Sequence, residues 1–227
     1  LKRDMKSGEI NFIVATSMGV VQYFSMDELR DGFSGLKEVP DHLFLVVKRS
    51  SGIRTPADLA GKRVAILEGD ELSEVYLDTL MMKALGKAAV TRAPSVTHEK
   101  RSSTLVHRVF FNQADAALVR RNTYESAMAM NPQIDQQLQV LETYSFKGRS
   151  PHIGLFSARV APQDAQAITR SAMTMGSTSR GRQVLDIYHA DNMVLTKVSD
   201  LDPFLDLLTQ YRTLKSALAP TLKKGAK

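Results

Sequence analysis

The chain contains 227 residues, of which 43% are apolar, so it is long enough for one large domain or two small ones. It has no cysteine, which excludes disulfides, thiol nucleophiles and cysteine-ligated metals. The net charge of +6 would suit an anionic partner. However, the basic residues are scattered and no basic motif with interleaved aromatics occurs, so we do not expect nucleic-acid binding.

The sequence shows neither a membrane span nor a targeting segment. Its longest uncharged apolar runs are far shorter than the ~20 residues that cross a bilayer, so we expect no membrane insertion. No basic-then-apolar leader opens the chain, so we expect no signal peptide in this sequence. Because it starts without Met and inside a helix-like pattern, we expect it to be a mature or trimmed fragment.

Short apolar strands alternate with helical patterns along the chain. Gly86 follows one predicted helix, and Asn131-Pro132 stops another. The predicted strands are 10–15, 43–48, 64–67, 89–93, 114–119, 138–142 and 151–157. The predicted helices are 20–29, 73–85, 102–111, 123–130, 163–175, 179–188 and 200–215, so the pattern after Pro162 is helical throughout.

This alternation predicts an α/β fold with mainly parallel sheets flanked by helices. The stretch 62–145 contains its own series of strands and helices. The stretches 1–61 and 146–227 would supply another lobe from two separate pieces of chain. We therefore predict a two-lobed protein, with hinge crossings near 48–51 and 145–152.

The segment between the second and third predicted strands has the sequence of a one-turn helix. Thr55 is a good N-cap and Pro56 a good first helical residue, and Gly61 would end the turn. A strand, this short turn and a second strand resemble the junction at which two-lobed solute-binding proteins pass between lobes.

The order of these pieces resembles the phosphonate/phosphite-type solute-binding proteins of ABC transporters, which have the type II periplasmic binding fold. The resemblance implies that a small molecule binds in an interlobe cleft in the periplasm and that a membrane permease is the partner. Members of the family begin with a strand, a helix and another strand before the point that matches Leu1, so we expect the first lobe to lack its N-terminal elements. Beyond the junction, the resemblance rests on Gly8-Glu9-Ile10-Asn11-Phe12, Thr97-His98-Glu99, Asn112-Gln113-Ala114-Asp115-Ala116-Ala117 and Ser150-Pro151-His152-Ile153.

The loop at 68–73 departs from the ligand chemistry that the resemblance implies. The family binds its oxyanion at a helix N-terminus that carries Ser and Thr, because free N–H groups and the helix dipole attract phosphate. Here Glu68, Asp70 and Glu71 place carboxylates at that position, and only Ser73 could donate a hydroxyl. We therefore expect a cationic, zwitterionic or neutral polar ligand rather than a simple phosphonate. Helix capping alone would also account for Asp70 and Glu71.

We expect the ligand between four segments, Thr16–Ser17, Asp70–Ser73, Thr97–Glu99 and Arg120–Asn122, which follow the carboxyl ends of predicted parallel strands or begin predicted helices, where open α/β sheets bind ligands. The resemblance points in particular to His98, which matches a ligand-contacting histidine of the family. His152 lies on the predicted return crossing. The full candidate set is Thr16, Ser17, His42, Glu68, Asp70, Ser73, Thr97, His98, Glu99, Asn122 and His152.

Two other functions are open at this point. His98, Glu99 and Asp115 would be the acid/base set of an enzyme, and some cofactor-biosynthesis enzymes use this fold. No nucleophile elbow, phosphate loop, dinucleotide signature or zinc helix occurs, however, so we expect a protein that is not an enzyme. The histidines lack partners at ligand spacing, so we expect no metal site and no cofactor. The other alternative is a sensor input domain, with a sensor kinase as the partner.

Overall fold

The computed structural model describes residues 1–36, 42–145, 152–187 and 190–222, and the chain has the predicted α/β class. Ser150 and Pro151, which belong to the last resemblance motif, lie outside the described residues. The strands are β1 (Phe12–Thr16), β2 (Leu29–Arg30), β3 (Gly32–Leu36), β4 (His42–Lys48), β5 (Arg63–Leu67), β6 (Ser95–Glu99), β7 (Ala116–Arg120), β8 (Leu138–Ser145), β9 (His152–Ser157) and β10 (Asn192–Thr196). The α-helices are α1 (Lys2–Ser7), α2 (Ser17–Tyr23), α3 (Glu71–Leu85), α4 (Ser102–Phe110), α5 (Arg121–Met130), α6 (Gln133–Gln137), α7 (Pro162–Met173), α8 (Ser179–Ile187) and α9 (Asp202–Leu222).

The chain divides into two compact units. Unit 1 consists of Leu1–Pro40 and Phe146–Asp206, and unit 2 consists of Asp41–Ser145 and Leu207–Lys227. The first predicted lobe contained all of 1–61 and 146–227, whereas the structure assigns β4 and most of α9 to unit 2. The expected crossing near 48–51 is a single 3-10 turn, Arg49–Ser51, inside unit 2.

Strand β4 explains why the expected assignment of 43–48 to the first lobe needs correction. The sheet of unit 2 has the order β6-β5-β7-β4-β8, so β4 is hydrogen-bonded on both sides. Its side chains Leu43, Leu45, Val46 and Val47 are fully buried. β5 is parallel to β6 and β7, but β4 is antiparallel to β7 and β8, so this sheet is mixed rather than mainly parallel.

The buried core of unit 2 holds in place the strands whose ends carry the candidate site. Helix α4 presents Leu105, Val106 and Val109 to the sheet, at the spacing of one helical face. Each fully buried side chain of this size contributes ~1.5–3 kcal/mol relative to exposure. The buried cluster comprises Val46, Ala65, Leu105, Val106, Val109, Ala114, Ala117, Val119, Tyr124, Ala127, Ile134 and Leu138.

The predicted one-turn helix forms as the 3-10 turn Pro56–Leu59. The carboxylate of Asp58 accepts hydrogen bonds from the backbone N–H groups of Arg54 and Thr55, both at 2.9 Å. These bonds lower the pKa of Asp58. Gly61, which follows the turn, has a φ of 68°, where an L side chain would be strained. The turn joins β4 to β5 within unit 2, so it is not the expected junction between lobes.

Unit 1 is built from antiparallel strand pairs. β9 lies between β1 and β2, and β3 pairs with β10. The ring of Phe12 stacks on Phe33 with centroids 4.6 Å apart and lies 4.8 Å from Phe156. A side chain at Gly154 would collide with the backbone carbonyl of Phe33, so the strands approach closely only because this residue is glycine.

Two helical predictions in unit 1 were wrong. The predicted helix 20–29 ends earlier, because Phe24 is already extended with φ −118° and ψ 149°. Strand β10 lies in the part of the chain after Pro162 that showed a helical pattern throughout. None of the helices in the described ranges combines the length and the apolar character that a bilayer crossing requires.

Candidate functional site

The carboxyl ends of β5, β6, β7 and β8 meet at one edge of the sheet of unit 2, which we call the unit 2 edge. β5, β6 and β7 run parallel, and the residues that follow them begin α3, α4 and α5. β8 ends at the same edge, because Leu43 near the start of β4 is opposite both Arg120 and Tyr144. Ligands of open α/β sheets bind outside such an edge, so the side chains here form the candidate site.

An ion pair between Asp70 and Arg120 lies at this edge. Nη2 of Arg120 is 3.1 Å from Oδ1 of Asp70 and 3.4 Å from Oδ2. The hydroxyl of Ser73, which is fully buried, donates to Oδ2 of Asp70 at 2.6 Å. The side chains of Asp70 and Arg120 are 11% and 21% exposed, so water screens their attraction only in part.

These contacts show what the side chains of Asp70 and Ser73 bind within the protein. Asp70 is the N-cap residue of α3, yet its carboxylate makes no capping hydrogen bond. Capping therefore does not account for this residue, because its carboxylate binds Arg120 instead. Ser73 directs its hydroxyl to Asp70. Glu68 is exposed, and its backbone N–H donates to the carbonyl of Glu99.

His98 lies on β6 and not at a helix start. The strand expected at 89–93 was wrong: that stretch is a 3-10 helix and turn, and Ser95–Glu99 pairs with β5 instead. Alanine has low strand propensity, whereas Val96 and Thr97 are β-branched. Nε2 of His98 is 3.4 Å from Oε1 of Glu74, and both side chains are about half exposed.

Three further candidate side chains at this edge contact other residues of the chain. The hydroxyl of Thr97 lies 3.4 Å from the carbonyl of Val64 on β5. The carboxylate of Glu99 is 2.8 Å from Nε of Arg108 on α4. Asn122 is exposed in the first turn of α5 and accepts a hydrogen bond from Thr123.

His42 begins β4, opposite Ser145 on β8, and its ring stacks on Phe44 with centroids 6.0 Å apart. It is the candidate that the structure places farthest along the sheet from β6, because β5 and β7 lie between.

The remaining candidates lie together in unit 1. Thr16 pairs with His152 at the end of the β1–β9 ladder. Thr16 is also the N-cap of α2, and its hydroxyl oxygen accepts the N–H of Gly19 at 3.1 Å. Ser17 is only 1% exposed, whereas His152 is exposed.

Sequence reasoning missed several groups at the unit 2 edge. The predicted cleft included the end of the strand at Arg120–Asn122, but Arg120 was not in the candidate set, although a cation at the end of β7 is the natural partner for a loop of carboxylates. Tyr76 and Tyr144 lie with ring centroids 5.1 Å apart. Burial raises the pKa of Tyr76 to about 12, with the negative charge of Glu142 as a further cause.

The acid/base set considered for an enzyme does not assemble. The carboxylate of Asp115 binds the side chain of Arg63 at 2.9 Å and its backbone N–H at 2.8 Å, at the start of β5. His98 and Glu99 lie toward the opposite end of these parallel strands, about 10 and 13 Å along them at ~3.3 Å per residue.

The fold is shared with several solved structures. XAC2383 from Xanthomonas citri, solved bound to ATP, matches with a TM-score of 0.70 and 12% identity, over 96% of this chain and 83% of that one. PhnD1 from Prochlorococcus marinus, solved with methylphosphonate, matches with a TM-score of 0.63 and 9% identity, over 94% and 82%. A binding-protein component of an ABC phosphonate transporter from Pseudomonas aeruginosa matches with a TM-score of 0.61 and 12% identity, over 99% and 83%.

These likenesses show the fold of type II periplasmic binding proteins. No curated protein has a sequence significantly similar to this chain. The family model described as ABC transporter, phosphonate, periplasmic substrate-binding protein matches residues 1–201. The chain therefore belongs to the phosphonate-binding family of periplasmic solute-binding proteins of ABC transporters, as the resemblance predicted.

Proposed function

We propose that this protein binds a small polar solute in the periplasm and delivers it to the permease of an ABC transporter, and that the solute is not a simple phosphonate or phosphate. Membership of the family supports the first part. The observation that carries the second part is the carboxylate of Asp70, which accepts hydrogen bonds from both Arg120 and Ser73 at the unit 2 edge.

The second part follows from the charge that an oxyanion would meet. A unit negative charge ~4 Å from Asp70 would be repelled by about 4 kcal/mol at an effective dielectric of ~20. The N-terminus of a helix such as α3 returns only ~0.3–1 kcal/mol, or up to ~2 when partly buried. Arg120 offsets part of the repulsion, but Asp70 already uses that guanidinium.

In this proposal, His98, Asp70 and Arg120 contact the ligand. His98 supplies an exposed imidazole that can donate or accept a hydrogen bond. The hydroxyl of Ser73 supports the ligand indirectly, because it holds Asp70. Thr97 and Glu99 have structural roles, since their side chains contact β5 and α4.

Native mass spectrometry of gently purified protein tests the first part, and we expect the mass of one co-purified small molecule. His98→Ala should weaken the binding of that molecule by about tenfold or more, which is the effect of losing ~1.4 kcal/mol. His107→Ala is the matched control, because His107 is exposed on α4 and stacks on Phe111 away from the unit 2 edge. Equal affinity of the two variants would refute the role of His98.

Calorimetry with phosphate, phosphite and methylphosphonate tests the second part. We expect no binding in the micromolar range, because each of these anions would meet the carboxylate of Asp70. Micromolar or tighter binding of any of them would refute this part of the proposal while leaving solute binding intact.

A further inference from the structure

We propose that Asp70 is a specificity-determining residue, and that through its pair with Arg120 the site takes a small zwitterion of the α-amino acid type. This inference rests on the proposed function. Its starting point is the geometry of the pair: Nη2 of Arg120 lies within 3.4 Å of both oxygens of Asp70, and neither side chain is fully buried. A cation and an anion, each with a small part of its side chain exposed, are therefore adjacent.

A simple oxyanion gains little from this arrangement. To bind the guanidinium of Arg120 closely, it must displace Asp70 or lie beside it. In either case Ser73 still donates a hydrogen bond to the partly buried carboxylate of Asp70. The oxyanion, however, places a second negative charge beside that carboxylate. Like charges at this depth oppose binding, so phosphate and methylphosphonate are disfavoured.

A zwitterion offers an opposite charge to each of the two side chains, Arg120 and Asp70. Its carboxylate can accept a charge-assisted hydrogen bond from the guanidinium of Arg120, while its ammonium group binds Asp70. Because the partners are only 3.1 Å apart, the two charged groups of the ligand must also be close together. One carbon separates them in an α-amino acid, whereas a longer spacer separates them in aminoethylphosphonate.

The variant Asp70→Asn tests the inference, because it keeps the shape and one acceptor oxygen but removes the charge. Thermal-shift screening of the standard α-amino acids identifies the best binder for calorimetry. We expect Asp70→Asn to bind this amino acid at least about tenfold more weakly, and methylphosphonate at least about tenfold more tightly, than the natural protein does. The double variant Asp70→Asn with Arg120→Gln should bind neither.

The matched control is Asp135→Asn, which makes the same chemical change on α6. Asp135 is exposed and holds Arg49 through its backbone carbonyl, so its substitution should leave both affinities unchanged. Thermal unfolding of each variant verifies that it is folded.

Three results would overturn the inference. The first is tighter binding of methylphosphonate or aminoethylphosphonate than of any α-amino acid by the natural protein. The second is a set of unchanged affinities in Asp70→Asn. The third is a co-purified solute of another class together with no amino-acid binding, which would leave the proposed function intact. If native mass spectrometry and calorimetry detect no solute of any kind, the proposed function fails as well.

Discussion

The variant Asp115→Asn should destabilise unit 2 measurably. Asp115 precedes β7, and its carboxylate accepts hydrogen bonds from the backbone N–H, Nε and Nη2 of Arg63 at 2.8, 3.2 and 2.9 Å. The backbone N–H of Asp115 donates in return to the carbonyl of Arg63 at 2.8 Å. The pair therefore fastens the first residue of β5 to the strand beside it.

The magnitude follows from these contacts. A hydrogen bond to a charged group contributes ~1.5–3 kcal/mol. The Arg63 and Asp115 side chains are 52% and 30% exposed, so solvent screening places the expected loss at the lower end. Asparagine keeps one acceptor oxygen, and we expect a loss of about 1–2 kcal/mol. With an m-value of ~2–3 kcal/mol/M, the urea midpoint should fall by roughly 0.5 M.

The effect should depend on pH. The side chain of Arg63, together with its backbone N–H, lowers the pKa of Asp115 in the folded protein. A depressed folded pKa stabilises the fold above the unfolded pKa of ~3.9, and this contribution is lost as the pH falls through the folded value. The stability gap between the natural protein and Asp115→Asn should therefore be full at neutral pH and shrink below about pH 4.

Urea unfolding followed by far-UV circular dichroism measures the gap, because the chain contains no tryptophan. Glu125→Gln is the matched control: it breaks an exposed pair with Arg121 on α5, which is worth only ~0.3–0.5 kcal/mol. If the midpoint of Asp115→Asn matches that of the control, or if the gap does not narrow in acid, the reasoning is wrong.

Three further outcomes are expected. Leu118→Ala, in the middle of β7 where the side chain is 1% exposed, should cost ~2–5 kcal/mol by urea unfolding, whereas Val140→Ala, at 37% exposure, should cost under about 1. Gly154→Ala should lower the melting temperature because its methyl group would collide with a carbonyl of β3, whereas Gly176→Ala, with its nearest neighbour at 3.5 Å, should be tolerated. In an alkaline absorbance titration, Tyr76→Phe should remove a phenol that ionises near pH 12. The stability that Tyr76 contributes below pH 10 should be lost as the pH rises toward about 12.

Local signals in the sequence predicted many of the helices and strands. The structure has a helix at Glu71–Leu85 where 73–85 was predicted, and one at Ser102–Phe110 where 102–111 was predicted. Apolar periodicity and end signals such as Gly86 act within a few residues, so they can be read without the fold. The 3-10 turn behind Thr55 is predictable for the same reason.

Strand pairing could not be predicted in the same way. Phe12 of β1 pairs with Phe156 of β9, far along the chain, and nothing near either residue specifies the other. β4 lies between β7 and β8, although β5 follows it in sequence. An apolar run such as 43–47 shows that a strand will be buried, but not which neighbours bury it.

The same limit applies to the candidate site. The resemblance placed the relevant loop after β5. Asp70 stands at an N-cap position, however, where aspartate is common for capping alone. Its actual partner, Arg120, is 50 residues away and is brought close only by the parallel pairing of β5 with β7. The sequence identified Ser73 as a hydroxyl donor. It could not show that the acceptor in the folded chain is Asp70.

The net charge at the unit 2 edge therefore depends on which carboxylates are paired with arginines, and not only on the number of carboxylates. Glu99 is balanced by Arg108, and Asp70 by Arg120, so these four side chains contribute no net charge. An anion is disfavoured because it would either separate Asp70 from its cation or lie beside that carboxylate, and not because the loop as a whole is acidic. If that is the cause, removing the exposed carboxylate of Glu68 should change anion affinity far less than removing that of Asp70, although the two substitutions change the formal charge equally.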